Sequence, residues 1–431
     1  MITHSSATRR TVLIVALASG LAVAMAVFSQ AALNVNLVSR TSGGAPANGP
    51  SNATVPTALS HDGSKVAFQS RAANLPGGDG ATTQGYVRNV PTGRTRLVSK
   101  DNNGNPSGSA VQMQGISANG RFVTFQGTGA GLPGANGQSQ VWVYDLKRGR
   151  IAIASRANDG SVGDAASYDS ALSADGRRVA FSSNASNLPY GNAPGTLVYV
   201  RDLEKRKTIL VSRAKDGGPA TGNLYGQTIS SDGRRVAFYS SNADLPGGDG
   251  VTQHVYVRYL DRQETRLVDR NNNGEKANAD SYNASISGNA RFVVFESQGT
   301  NLPGQTGNQV YVRDLGRGKT RLAGRNNRGE PQDGYAEFAH LSGSGRYVQF
   351  VSSADNLPGG SGATYALVYT RDMREGRTRL VSRTAGGEVA DAEATEGSIS
   401  LDGRWVAFDS LADNLGGNPL YSNVFRVGPL G

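Results

Sequence analysis

The sequence predicts an all-β fold: a seven-bladed β-propeller of four-stranded antiparallel blades, with the ring closed by the N-terminal strand (34–40), which completes the last blade. Three observations carry this expectation. A phrase clearest at Ser173-Ala-Asp-Gly-Arg-Arg-Val-Ala-Phe181 begins seven times, at Ser60, Ser117, Ser173, Ser230, Ser287, Ser342 and Ser400. The copies stand 55 to 58 residues apart, the mark of one supersecondary unit repeated along the chain. Finally, the chain opens on a lone strand, Asn36-Leu37-Val38-Ser39-Arg40, while the last repeat is one strand short.

The first 32 residues precede the repeats. Arg9-Arg10, an apolar run from Val12 to Phe28, and the small residues of Ser29-Gln30-Ala31-Ala32 read as a signal peptide, with an N-terminal membrane anchor as the alternative. Thr8 to Leu13 also has the look of a twin-arginine signal. Residues 33–431 are then one propeller. With Arg9 and Arg10 in the leader, 42 of the 44 basic side chains face 34 acidic ones. That surplus is mild, and Arg recurs within the repeat at Arg201, Arg258, Arg313 and Arg371. A ring of solvated or paired strand residues explains this better than a nucleic-acid patch, so no nucleic-acid partner is expected. The chain has no Cys, which excludes disulfides, thiolate metal sites and a Cys nucleophile.

Each repeat reads as four short strands, A to D, bounded by Gly, Asn, Asp and Pro. In the third copy these are Tyr168 to Ser173, Val179 to Phe181, Leu197 to Asp202 and Thr208 to Arg213. The A–B turn holds Gly in six copies and Ala290 in the fifth, which fits a position needing positive φ. Strand B ends in Phe68, Phe125, Phe181, Phe238, Phe295, Phe350 and Phe408, a core residue in every copy. Asn-rich D–A turns such as Asp101-Asn102-Asn103-Gly104 lack the carboxylates of calcium loops and read as plain turns. Pairing the opening strand with the last repeat leaves only short, protected edges.

The phrase Ser-x-Asp-Gly-Arg-x-Val-Ala-Phe followed by Val-Tyr-Val-Arg-Asp-Leu resembles the WD40-like (PD40) propeller repeat of the TolB-related families, over residues 34 to 431. The resemblance implies the propeller fold and an exported, periplasmic or extracellular setting. The TolB family itself is known for an α/β domain ahead of a six-bladed propeller and for acting with a peptidoglycan-associated lipoprotein. Here only the leader precedes seven repeats, so the resemblance does not carry that role across. Propeller peptidases of similar build carry an α/β-hydrolase domain for which this chain has no room.

Alternating strands put the tight A–B and C–D turns on one face and the long B–C and D–A loops on the other, where binding is expected. Leu-Pro-Gly recurs in the B–C loops, as at Leu75-Pro76-Gly77 and Leu245-Pro246-Gly247, and sets their shape. Strand A lines the channel, with Tyr168, Tyr225, Tyr282 and Glu337 at one level and Asp169, Asn283 and Glu396 one step closer to the turn. His340 stands where other copies hold Ala58, Gly115, Ala171, Thr228, Ser285 and Ser398. These eight side chains are the candidate binding residues at the channel mouth; tyrosines packed between blades are the plainer explanation of the aromatic ones. His61, His254 and His340 lie in different repeats and form neither a zinc set nor a catalytic triad by spacing, so no catalytic residue, metal or cofactor is assigned.

The expected function is an exported, non-catalytic scaffold that binds a protein or polymer at the cell envelope through the long-loop face. A carbohydrate-binding propeller, or a polysaccharide hydrolase or lyase using channel-mouth acids, is the alternative. The partner is expected to be an envelope or extracellular protein, or else a polysaccharide, with membrane contact only through the N-terminal segment.

Overall fold

The computed structural model describes residues 33–53, 57–220, 222–304, 307–360 and 362–430, and the leader (1–32) lies outside them. Within these residues the chain makes seven four-stranded antiparallel sheets. In blade 3 the strands are Ser167–Leu172, Arg178–Ser183, Leu197–Asp202 and Lys207–Leu210, each beside the next. The seventh sheet has the order Asn34–Leu37, Asn423–Gly428, Val406–Ser410, Ala394–Ile399, so the opening strand does complete the last blade. Ladder pairing stops at Leu37, short of the expected Arg40. Beyond it the Val38 N–H donates to Val424 O (2.7 Å), and the Ser39 hydroxyl accepts the Val424 N–H (3.0 Å), so a side chain replaces one rung. The same substitution ends strand D in blade 3, where Ser212 Oγ accepts the Val198 N–H (3.1 Å). Among the described residues no helix is long and apolar enough to cross a membrane.

The recurring Phe is the centre of each blade. Phe68, Phe125, Phe181, Phe238, Phe295, Phe350 and Phe408 are all fully buried. Each packs on an aromatic ring from strand C, with centroids 5.5 to 6.5 Å apart, as in Phe181 on Tyr199. Burial of each ring contributes roughly 1.5–3 kcal/mol, which is why this position does not vary.

Two inter-blade devices join the sheets. The first is a belt of backbone hydrogen bonds through the A–B turns: His61 N–H to Ala118 O, Asn119 to Ala174, Ala174 to Ser231, Ser231 to Gly288, Asn289 to Gly343, Gly343 to Leu401, and Asp402 back to His61. One bond per blade boundary makes the belt a closed loop. The second device is the strand-C arginine. Arg88, Arg201, Arg258, Arg313 and Arg371 are only 3 to 9% exposed. Arg201, for example, donates to the Arg156 and Ala157 carbonyls that leave blade 2, and to Thr208 Oγ1. These residues were expected to be solvated or paired strand residues; they are buried, and a guanidinium N–H of Arg88, Arg201, Arg313 and Arg371 reaches carbonyls of the preceding blade, while Arg258 donates to Thr265 Oγ1. Burial holds the Arg88 and Arg371 guanidinium groups down to about 10.

The A–B turn glycine is required by both φ and space. Gly176 has φ +71°, and a Cβ there would lie 2.2 Å from the Phe122 ring of the preceding blade. In blade 5 the position holds Ala290 at φ 60°, and the covering residue is the flexible Arg235, whose guanidinium donates to Ala290 O (2.5 Å). Ala290→Gly should therefore stabilise the protein by about 1 kcal/mol by relieving left-handed strain. Gly176→Ala should cost about 3 kcal/mol, since strain and overpacking add. Urea unfolding midpoints of the two variants check this; shifts of the same sign would contradict it.

Candidate functional site at the channel mouth

Seven A strands surround the axis, and their sequence grades along it. Nearest the tight turns stand Leu59, Ile116, Leu172, Ile229, Ile286, Leu341 and Ile399, one per blade, each 2 to 8% exposed. They line a cavity of only about 60 Å³. So packed an aliphatic ring stoppers the channel at the turn face. Towards the long loops the lining becomes polar and opens into a cavity of about 210 Å³ bordered by Gln112, Gln114, Asp169, Asn283, His340 and Glu396, among others. Access is from the long-loop face.

A β-bulge shapes this cavity. Pairing between strands A and B shifts register between Tyr168 and Ala171, Tyr225 and Thr228, Tyr282 and Ser285, Glu337 and His340, and Thr395 and Gly397. The bulged residue takes positive φ: Asp169 (48°), Gly226 (61°), Asn283 (50°), Phe338 (54°) and Glu396 (30°). Four of these five are not glycine. Strain of order 1–3 kcal/mol at each, repeated at one level of the ring, needs support from outside the strand.

For Asp169 and Phe338 that support comes from the residue after the framework Phe of the preceding blade, and the same position bonds strand A at other blade boundaries. Gln126 Oε1 accepts the Asp169 N–H (2.6 Å), and Gln69 Oε1 accepts the Met113 N–H (2.9 Å). Ser182 Oγ donates to Gln227 Oε1 (2.8 Å). Glu296, fully buried, accepts from Asn283 Nδ2 (3.1 Å) and faces the N–H groups of Phe338 and Ala339. Asp409 accepts from Thr395 Oγ1 (2.7 Å), Asn52 Nδ2 (3.3 Å) and the Ala53 N–H (3.4 Å). Sequence reading missed Glu296, Asp409 and the glutamines; the signal was a variable polar slot beside an invariant Phe.

The bulge separates the eight expected residues into two groups. Asp169, Asn283, His340 and Glu396 border the cavity. The residues one step outward serve mainly their own blades. Tyr168 bonds Thr196 Oγ1 (2.7 Å), Tyr225 packs on Tyr239 with centroids 5.8 Å apart, and Tyr282 interacts with Gln298 and Asn308. Glu337 lies at the rim, half-buried, within the field of Glu393.

The acids of this region are held proton-rich. Burial pushes Glu296 up to about 8, with the Asn283 amide opposing it. Glu396 is pushed up to about 7 by burial and then by the Asp409 and Glu337 charges. Asp409 rises to about 6 by burial against its hydrogen-bond donors, and burial alone raises Asp169. His340 borders the channel half-buried, and its protein surroundings lower it to about 4 by desolvation, so it is neutral at physiological pH. Such a cavity can accept hydrogen bonds, receive positive charge and exchange protons near neutrality. Among the described residues no group of three or more His, Asp or Glu could hold a metal ion.

His254 and Asp269 form a second buried pair, with Nδ1 2.7 Å from Oδ2 and both side chains unexposed. They occupy the places of Gln84 and Ser99 in blade 1, where Ser99 donates to Gln84 Oε1 (2.5 Å). The pair is thus a variant of a structural link.

No protein-family model matches the chain, and no curated protein matches it. Solved structures do match. An oligogalacturonate lyase from Vibrio parahaemolyticus superposes with a TM-score of 0.56 at 11% identity, covering 92% of this chain and 97% of that one. The β-propeller domain of the Trilobed protease from Pyrococcus furiosus, described as having an open velcro topology, gives 0.53 at 11% identity over 84% and 91%. TolB from Acinetobacter baumannii matches more loosely, at 0.41 and 13% identity over 85% and 80%. The lyase and the protease domain differ in activity, and at such identities they establish the propeller fold alone.

Proposed function

We propose that the chain is an exported, non-catalytic scaffold that binds a protein or polymer of the cell envelope through its long-loop face. The observation that carries this reading is the placement of exposed apolar side chains. Among the described residues the large exposed ones are Tyr190, Val251, Tyr335, Leu411 and Leu420. All five stand in B–C or D–A loops. The opposite face instead carries ion pairs that tie turn to strand, such as Arg121 with Asp145 (2.6 Å), Arg291 with Asp314 (2.8 Å) and Arg346 with Asp372 (2.6 Å).

Several long loops are braced, those of Tyr190, Leu411 and Leu420 among them. Asn187, from the Asn-Leu-Pro stretch of a B–C loop, accepts the Asp164 N–H (3.2 Å) and donates to Val162 O (2.8 Å) in the adjoining D–A loop. Asn301 repeats the arrangement with Asn278 (3.2 Å) and Lys276 (2.8 Å), and Asn414 with Asp391 (3.3 Å) and Val389 (2.8 Å). A braced surface of apolar tips loses little conformational entropy on binding, which favours a macromolecular partner. Export rests on the leader sequence.

The test uses the tagged full-length chain in pull-downs from envelope extract. A triple variant, Val251→Ser, Tyr335→Ser and Leu420→Ser, should lose species that the wild type retains. A turn-face variant, Arg148→Ser, Lys205→Ser and Arg317→Ser, should keep them. Loss with the turn-face variant alone would overturn the reading.

A further inference from the structure

Resting on that reading, we propose that the stoppered channel takes a basic side chain of the bound polypeptide, with its ammonium or guanidinium group seated between Asp169 and Glu396. Four observations on the cavity converge. Its lining holds two carboxylates and, among the described residues, no Lys or Arg. Ser170 and Gln227 line it at 4% exposure each, and both Ser170 Oγ and Gln227 Nε2 are buried without a hydrogen-bond partner. His340 Nδ1, on strand A of blade 6, is likewise unpartnered and lines the same cavity. Finally, the aliphatic ring below closes the far end, so an occupant enters and leaves by the mouth.

The chemistry of the free atoms selects the class of ligand. A hydroxyl oxygen and two carboxylates offer acceptors, as does the imidazole Nδ1 in its Nε2-protonated tautomer, which suits a cation with several N–H donors. Gln227 Nε2 is the exception, a free donor. It needs an acceptor, which a peptide carbonyl at the base of the side chain would supply. An anionic sugar would instead set its carboxylate against Asp169 and Glu396 with no cation to offset it. A buried polar atom left unpaired is destabilising, so an occupant satisfying several at once gains where an apolar group would not.

Proton linkage gives the proposal a sign. Glu396 is faced by Asp409 on the adjacent strand of its blade and by Glu337 on the preceding blade, whose strand A also carries the neutral His340, while Asp169 lines the same cavity. An entering cation favours the carboxylate form, so a proton leaves as it binds. Affinity therefore rises with pH through about 7 and levels off above it.

The experiment is calorimetric or NMR titration of the full-length chain with N-acetyl-lysine-N-methylamide. The neutral isostere N-acetyl-norleucine-N-methylamide and galacturonate serve as the other arms. The lysine probe should bind at least tenfold more tightly than either, and about tenfold more tightly at pH 8 than at pH 5.5. Glu396→Gln should weaken it about tenfold and flatten the pH dependence, and Asp169→Asn provides a second variant should the first fold poorly. Equal binding of the norleucine probe, preference for galacturonate, or affinity that falls as pH rises would each overturn the proposal. If the pull-down partner is lost with the loop-tip variant while the lysine probe does not bind, the scaffold reading stands and the channel proposal fails.

Discussion

A chain beginning at Ser42, without the opening strand, is expected to lose cooperative unfolding and to associate through its exposed edge. The reason is local to the closure. Asn34–Leu37 pairs with Leu37 opposite Phe425 and Asn34 opposite Gly428, and Val38 is fully buried. Arg426 is held from both sides, donating to Asn36 Oδ1 (2.7 Å) and to Gly63 O in blade 1 (2.7 Å). Removing the strand uncovers Phe425 and Val427, now unexposed, and leaves Asn423–Gly428 as an unpaired apolar edge, a template for association. A ring also differs from an open stack, because the closing contact restrains every blade through the turn belt. A peptide of residues 33–41 added in trans should restore a sharp thermal transition. A truncated chain that melts as sharply as the parent without the peptide would show that closure contributes little.

Stability is expected to fall between pH 5 and pH 8.5. The channel-mouth acids have raised pKa values in the folded state: about 6 for Asp409, about 7 for Glu396 and about 8 for Glu296. A carboxyl group raised on folding contributes stability that is complete below its unfolded value near 4. That contribution is lost as pH rises through the folded value, because the unfolded chain then ionises more readily. For Asp409 alone the loss is on the order of 3 kcal/mol. The acids with lowered values act in another window. Asp145, Asp314 and Asp372 are held down by Arg partners and by backbone N–H donors at the strand ends. Their contribution is lost only as pH falls below about 4. Urea midpoints across the range should therefore decline for the wild type and decline less for Asp409→Asn. A midpoint that rises towards pH 8.5 would contradict this assignment.

These two expectations rest on features of unequal legibility in sequence. The blades were readable because one phrase recurs with its Phe, its turn glycine and its spacing intact, and because strand D appears at the chain start when the last copy lacks it. Closure follows from that count. The strand-C arginines were less clear. Their recurrence marked them as structural, but only the fold shows carbonyls of the preceding blade reaching them, which a charge pattern cannot reveal. At the channel mouth the level of Tyr168, Tyr225 and Tyr282 was legible, and so was the step occupied by Asp169, Asn283 and Glu396. The bulge was not. Nothing in the alternation of strand A shows that Asp169, Asn283, Phe338 and Glu396 sit at positive φ, which parts the acids from the tyrosines. Glu296 and Asp409 were hidden for a related reason, since they lie on strand B and their contacts with strand A of their own blade and with the next blade show only in the fold.

Binding is proposed to take place on the long-loop face and at the channel it opens. The most direct measurement is hydrogen exchange of the full-length chain, free and with the species it retains from envelope extract. Slowed exchange is expected in the B–C and D–A loops and at the bulge amides of Asp169, Asn283, Phe338 and Glu396, with the belt from His61 to Asp402 unchanged. Slowed exchange confined to the tight turns, with loops and bulges unaffected, would contradict it.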